Sequence, residues 1–418
     1  MNYIVKNVYG KTNGKKISVT VPGSKSITAR ALLIAAVAKG ESTLYGAQFS
    51  DDCATFLNCL NKLGVKSEVN GTTVKILGCN GVLPEKNAEI YVGSAGTAAR
   101  FIPALLAFQS GKYTLTCSDQ MKKRPVKPLI DTLKALGARF EFHEKENSYP
   151  FTVYGTANPA EKAEVDITES SQFLSALLIS AVCAGKRLKI TARGSHGFDY
   201  VNMTVKMMRE FGATVKTEKP QKNLQKNGKI ENKYVVFGNY EAKTYRVEPD
   251  FSAACYFYAM NKILGTRVFA EGVTENGLQG DYKFIKLLQN FDGGKIDMSE
   301  FSDQALTLAA IAPYFKNPTE IRGIEHIRRQ ECDRIAAIVY NLTEMGVKCE
   351  EFADGVKIFP SQPKPAKIKT FGDHRVAMSF AVTGLRADGI EIENCEVCAK
   401  TFANYFEILD ETVKKMTE

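Results

Sequence analysis

The sequence predicts an α/β protein of two similar domains, each made of three repeated β/α units with buried helices. Three observations carry that expectation. First, six segments are rich in Ala and Leu on nearly all sides, and each opens on small or polar residues. Helices that are apolar all round are buried helices. Second, six amphipathic segments alternate with them along the chain, several running into strand-like stretches. Third, Gly64, Gly137, Gly212 and Gly346 follow amphipathic segments on Leu-Gly, Phe-Gly or Met-Gly, the C′ position where positive φ favours glycine.

In chain order, Lys25-Ser26 opens ARALLIAAVA and is followed by FLNCLNKLGVKSEV. Gly96-Thr97 opens AARFIPALLAF, followed by LIDTLKALGARFEF. Ser170-Ser171-Gln172 opens FLSALLISAVCAG, followed by VKMMREFGATVKT. The theme returns at Asp250 (FSAACYFYAM, then FIKLLQNFDGGKID), at Asp303 (QALTLAAIAPYF, then IVYNLTEMGVKCEE) and at Asp373-His374-Arg375 (VAMSFAVTGL, then YFEILDETVKKM). Six buried helices need two cores, and three with three is the natural division. A proline between a strand-like run and a helix start makes residues 245–250 a plausible crossover. The expected boundaries are therefore 22–247 for an inserted N-terminal-half domain and 1–21 plus 248–418 for the other, which includes the first strand. With the buried-helix N-termini facing one interdomain cleft, six positive helix ends would favour an anionic substrate there.

Composition narrows the class. A chain of 418 residues, 44% hydrophobic and 24% charged, has the balance of a soluble globular protein large enough for two cores. No stretch reaches the roughly 18 apolar residues of a membrane span, and MNYIVKNVYG lacks the pattern of a secretory leader, so a cytoplasmic protein without membrane contact is expected. Ten cysteines without framework spacing fit reduced thiols. Cys395-Glu-Val-Cys398 has no second pair to make a metal site and reads as strand and turn. The formal charge of +9 is concentrated: residues 219–233, with five Lys and one Glu, supply +4 and read as an exposed hairpin tip or insertion. With no aromatic interleaving or nucleic-acid motif, nucleic-acid binding is not expected.

Chemistry is concentrated at the helix starts. In PGSKSITAR, residues 22–30, a lysine and serines stand at the mouth of a helix, where free N–H groups and the positive helix end attract phosphate. It is not a P-loop, because Gly23-Ser24-Lys25-Ser26 lacks the first glycine of G-x-x-x-x-G-K-[ST]. Ser170, Ser171 and Gln172 open another buried helix, where hydroxyls and free N–H groups make either a phosphate cradle or an ordinary N-cap.

Eight ordered motifs over residues 22–409 resemble the 5-enolpyruvylshikimate-3-phosphate synthases: PGSKSITARALLIAA, GSAGTAARF, the Arg-Pro of MKKRPVKPLIDTLKALGA, SSQFLSALL, FSDQALT, ECDRI, GDHRVAMSF and AKTFANYFEIL. The resemblance implies the enolpyruvyl transferase fold, two domains closing over a cleft. It implies transfer of the enolpyruvyl group of phosphoenolpyruvate to the 5-hydroxyl of shikimate 3-phosphate, with release of phosphate, no metal and no cofactor. A monomer acting in aromatic amino-acid biosynthesis is expected.

The same resemblance implies roles. Lys25 touches both substrates, Ser26 and Arg30 hold the shikimate part, and Ser170 and Ser171 hold its 3-phosphate. Gln172 lies between the substrates. Gly96 lets the backbone approach the phosphoenolpyruvate phosphate, while Arg124, Arg334, Arg375 and Lys400 supply cations. Asp303 binds and activates the 5-hydroxyl, Glu331 moves the proton at the enolpyruvyl carbon, and Lys25 is a third participant. From residue type alone, Asp303 is also an N-cap candidate for LTLAAIAPYF. Unliganded, these cations, Lys25 and Arg124 before the crossover and Arg334, Arg375 and Lys400 after it, are expected to repel across the cleft, and the two halves to close on binding.

Some positions depart from the family pattern. Ser94 stands for Asn, Phe101 for Pro, His326 for Asn, and Gln330 for a Lys that helps hold shikimate 3-phosphate. Arg329 or His326 is expected to offset the lost charge, with Gln330 donating a neutral hydrogen bond. Ser195 and Tyr200 are further implied shikimate contacts in the poorly aligned GSHGFDYVN. Two alternatives remain. The sister transferase acting on UDP-N-acetylglucosamine carries Lys-Asn where Lys25-Ser26 stands, and a loop cysteine where Asp119 stands. A non-catalytic homologue would have lost a site carboxylate or arginine, and none is lost.

Overall fold

The computed structural model describes residues 1–194, 197–218 and 231–418. Most of the lysine-rich stretch 219–233 lies outside them; Glu231–Lys233 belong to a strand. The chain divides into two compact units, Gly23–Val247, and Met1–Pro22 with Glu248–Glu418.

The unit Gly23–Val247 carries seven helices among its described residues: α1 (Lys25–Val37), α2 (Asp51–Lys62), α3 (Ala98–Ala107), the single turn α4 (Asp119–Lys122), α5 (Lys127–Ala135), α6 (Gln172–Ser180) and α7 (Phe198–Glu210). Its three sheets share one pattern. Strands Thr244–Arg246 and Lys39–Tyr45 are parallel, and Thr73–Cys79 and Lys66–Asn70 add antiparallel. Asn87–Tyr91, Lys112–Thr116, Phe151–Tyr154 and Arg139–Phe142 repeat that order. So do Lys162–Asp166, Leu188–Arg193, Glu231–Phe237 and Thr214–Glu218. Each repeat is thus a parallel pair extended by a hairpin rather than a purely parallel β/α unit.

The other unit holds α8 (Phe251–Leu264), α9 (Tyr282–Asn290), α10 (Ala305–Ile311), α11 (Arg334–Glu344), α12 (His374–Gly384) and α13 (Tyr405–Thr417). One sheet keeps the four-strand order: Gly294–Asp297, Thr319–Arg322, Gly355–Ile358, Cys349–Phe352. Two are shorter. Lys16–Val19 pairs parallel with Arg267–Ala270, and Ala366–Ile368 pairs parallel with Ile390–Ile392, which the opening strand, Tyr3–Ile4, joins antiparallel.

The Ala/Leu-rich segments become α1, α3, α6, α8, α10 and α12, the amphipathic ones α2, α5, α7, α9, α11 and α13. Within the second unit α8, α10 and α12 pack on one another, as a stripe-free apolar surface requires. In the first, α6 packs on α3 and α1. Gly64, Gly137, Gly212 and Gly346 all have positive φ, from 72° to 109°. Cys395–Lys400 corrects the reading of Cys395 and Cys398 as strand and turn: it is a 3-10 helix with both thiols buried. No helix among the described residues is long and apolar enough to cross a membrane.

Candidate active site

In the unit Gly23–Val247 the anion-binding candidates sit near the starts of its three buried helices, except Arg124, which lies between α4 and α5. Ser24 caps α1, its hydroxyl accepting the Ile27 N–H at 3.4 Å. Lys25 therefore begins the helix, and its ammonium lies 3.2 Å from Oδ2 of Asp52, a buried residue of α2. Ser26 is half-buried on the first turn, and its carbonyl accepts from Arg30 Nη1 at 3.0 Å. Arg30, 2% exposed, points into the core of the unit. Its Nε donates to Thr204 Oγ1 at 2.7 Å, and Nη2 donates to Ser175 Oγ at 3.2 Å and to the Tyr200 carbonyl at 3.4 Å. Burial pulls its pKa down to about 10, so it stays charged at neutral pH. A buried cation held by neutral oxygens leaves its charge to be answered by an anion.

Gly96 and Arg124 come together. A Cβ built on Gly96 would lie 3.2 Å from Arg124 Nη1, so the missing side chain gives the guanidinium its place. Arg100 ties both segments down: Nη1 donates to the Gly96 carbonyl at 3.2 Å and Nη2 to the Pro125 carbonyl at 3.1 Å. Ser94 bonds Ser118, their hydroxyl oxygens 2.6 Å apart.

The cradle at α6 is partly closed. Ser170 Oγ accepts the Gln172 N–H at 3.2 Å, so that amide is not open to a ligand. Ser171 occupies the N-cap position, but its side chain makes no cap hydrogen bond. Gly197 approaches it: a Cβ there would meet Ser171 Oγ at 2.5 Å. Gln172 Oε1 is buried without a hydrogen-bond partner among the described residues. Ser195 lies outside them.

In the other unit one network joins the remaining candidates. Arg334, the first residue of α11, is 2% exposed. Its Nε donates to Asp373 Oδ2 at 2.7 Å, Nη1 to Asp303 Oδ1 at 3.2 Å and Nη2 to Glu331 Oε2 at 2.9 Å. The amide oxygen of Gln330 also accepts from Nη1. Each candidate catalytic carboxylate holds a second cation: Asp303 Oδ2 lies 2.9 Å from Arg375 Nη2, and Glu331 Oε1 lies 3.3 Å from Lys400 Nζ. Burial alone would lower the Arg334 pKa, but the charges of Asp373, Glu331 and Asp303 outweigh it and raise the pKa above the ordinary arginine value.

Asp373, fully buried, was not among the expected site residues. It caps α12, accepting the Arg375 N–H at 2.8 Å, and so positions both arginines. Its sequence signal was only that of an N-cap.

One expectation is corrected here. Asp303 does not cap the helix after it: α10 begins at Ala305, with Gln304 at the N-cap position and no side-chain cap bond. The turn Ser302–Gln304 instead aims Asp303 at the arginines. Arg334, Arg375 and Lys400 each pair with a carboxylate of their own unit. Around the departures, Arg328 is built into an ion-pair cluster with Asp333 and Glu351, at 2.9 and 2.7 Å. Arg329 is exposed, and His326 Nε2 lies 2.8 Å from Ser302 Oγ.

The family model for EPSP synthase (3-phosphoshikimate 1-carboxyvinyltransferase) matches residues 11–294 and 288–409. The chain belongs to this family. It is 39% identical over 412 residues to the 3-phosphoshikimate 1-carboxyvinyltransferase of Trichormus variabilis, covering 93% of this chain and 94% of that one. The enzyme of the same name from Escherichia coli (strain SMS-3-5) is 34% identical over 416 residues, covering 94% and 95%. Among solved structures, EPSP synthase of Acinetobacter baumannii matches with a TM-score of 0.78 at 23% identity, covering 98% of this chain and 97% of that one. The enolpyruvyl transferase NikO of Streptomyces tendae matches at 0.71 and 15% identity, covering 98% and 96%. At those identities the structures establish the fold, the enolpyruvyl transferase fold, and the family rests on the sequence relatives.

Proposed function

We propose that this protein transfers the enolpyruvyl group of phosphoenolpyruvate to the 5-hydroxyl of shikimate 3-phosphate, releasing phosphate, as a cytoplasmic, monomeric enzyme of aromatic amino-acid biosynthesis. The observation that carries the reading is the network in which Asp303 and Glu331 share Arg334 and each hold one further cation. Two carboxylates are what the chemistry needs. Asp303 takes the proton of the 5-hydroxyl as its oxygen bonds to C2 of phosphoenolpyruvate, and Glu331 delivers a proton to the methylene carbon. The product is again an enol ether, so that carbon must lose a proton as the C–O bond to phosphate breaks. Glu331, left as the carboxylate, is the group to take it back, with Lys25 as a third participant.

The cations serve binding. Arg124, Arg334, Arg375 and Lys400, with Lys25 and Gln172, take the anionic groups of phosphoenolpyruvate, and Gly96 gives them room. Lys25, Ser26, Arg30, Ser170 and Ser171, with Gln172, Asp303 and Gln330, take shikimate 3-phosphate. Arriving anions compete with Asp303 and Glu331 for Arg334, Arg375 and Lys400. A carboxylate that loses its cation and gains an anionic neighbour becomes a stronger base. Binding thus primes the two groups that move protons. The proposal calls for no cofactor.

A phosphate-release assay decides among the readings. Release that requires both phosphoenolpyruvate and shikimate 3-phosphate supports the proposal. Release with UDP-N-acetylglucosamine instead, or none, overturns it. Arg124→Ala is expected to raise the KM for phosphoenolpyruvate by about tenfold or more, the scale of a lost hydrogen bond to a charged group. Unchanged kinetics would remove Arg124 from the clamp. Thr204→Val, which strips Arg30 Nε of its 2.7 Å partner, is expected to raise the KM for shikimate 3-phosphate severalfold and spare that for phosphoenolpyruvate. Thr204→Ser should restore it; equal effects on both substrates would count against a role through Arg30.

A further inference from the structure

Near the half-buried Asp303 lies a buried carboxylate that the proposed chemistry does not use. Asp281 stands just before α9, 6% exposed, yet its side chain makes no cap hydrogen bond to that helix. Its Oδ1 instead accepts from Gln304 Nε2 at 2.8 Å and from Ser252 Oγ, on the first turn of α8, at 3.0 Å. Gln304 is fully buried and immediately follows Asp303. Its amide oxygen accepts from Thr307 Oγ1 at 3.2 Å, and that hydroxyl is 3.2 Å from Ser379 Oγ on α12. These bonds tie the turn that carries Asp303 to α8, α10 and α12.

The hydrogen bonds that hold the Asp281 carboxylate come from neutral groups. The charged groups around it are Asp303 on the turn, Arg375 on α12 and Asp250 at the start of α8. The nearby thiol of Cys255, 3.8 Å from the Asp281 carbonyl, is kept neutral by burial. Burial first, and then the negative charge of Asp303, push the Asp281 carboxyl up to about 6. Electrostatic coupling between two carboxylates is mutual, so Asp281 acts on Asp303 as well. That matters because Asp303 is bonded to both Arg334 and Arg375, and two cations on a carboxylate weaken it as a base.

We propose that Asp281 is a positioning residue for Asp303: it fixes the Ser302–Gln304 turn through Gln304, and its negative charge offsets the two arginines and keeps Asp303 a stronger base. The inference rests on the assignment of Asp303 as the group that takes the proton of the 5-hydroxyl.

The test is Asp281→Asn. Asparagine keeps the Oδ1 that accepts both hydrogen bonds and removes the charge, so the variant retains the turn and relieves a buried ion. The readouts are a carboxyl 13C NMR titration of aspartate-labelled protein, with the Asp281 resonance identified as the one missing from Asp281→Asn, and steady-state kinetics above about pH 7, where Asp281 is ionised. Asp281, the weaker acid of the two, titrates while Asp303 is ionised, so its midpoint is expected to fall by about half to one pH unit in Asp303→Asn, and Asp281→Asn is expected to lower kcat about three- to tenfold with both KM values within about twofold. An Asp281 midpoint that stays in place or rises in Asp303→Asn, or an unchanged kcat in Asp281→Asn, overturns the role of Asp281. If Asp303→Asn turns over at the wild-type rate, the assignment of Asp303 fails instead, and the two failures are told apart.

Discussion

Glu331→Gln is expected to lower kcat by about a hundredfold or more, the range for loss of a positioned acid–base group. Its Oε2 is 2.9 Å from Arg334 Nη2 and its Oε1 is 3.3 Å from Lys400 Nζ. Glutamine fills the same space and keeps one oxygen for one of those cations. It cannot cycle a proton at the enolpyruvyl carbon. A group used for proton transfer is felt in the transition state, so substrate affinity, measured by calorimetry, should change by no more than a few-fold. A kcat within twofold of the parent enzyme would take Glu331 out of the mechanism.

Asp373→Ala should cost both stability and activity. Asp373 is fully buried, and its carboxylate holds Arg334, itself 2% exposed, through Oδ2 at 2.7 Å and Oδ1 at 3.4 Å. Removing one partner of a buried pair strands the other, at about 3–5 kcal/mol. Arg334 keeps Asp303 and Glu331, which places the expected loss near the lower figure. For a unit of this size about 3 kcal/mol corresponds to a fall in Tm of roughly 6–12 °C. The cap on α12 goes as well, so Arg375 loses its anchor beside Asp303. At a temperature where the variant is folded, kcat/KM for phosphoenolpyruvate should fall by about a hundredfold or more, since two clamping arginines are released together. Asp373→Asn, which keeps one acceptor oxygen, should fall between the two. A Tm within about 2 °C of the parent and unaltered kinetics would show that Arg334 needs no partner there.

The sequence by itself determined the six buried helices, their amphipathic partners and the alternation between them, because a helix's solvent exposure is written in the period of its own residues. It also determined the helix ends at Gly64, Gly137, Gly212 and Gly346, since positive φ is a local demand that glycine meets. The residue types that bind anions were legible at the helix starts for the same local reason. What each side chain touches was not. Arg30 is held by Thr204, 174 residues away, and Arg334 by Asp373, 39 residues away. No periodicity joins residues so far apart. Local reasoning made Asp303 a helix cap and left its neighbour Asp281 unremarked. Only the tertiary structure decided that Asp303 turns to Arg334 and Arg375 and that Asp281 reaches Gln304, because a carboxylate goes where burial and opposite charge hold it most strongly, and packing alone brings those groups within reach.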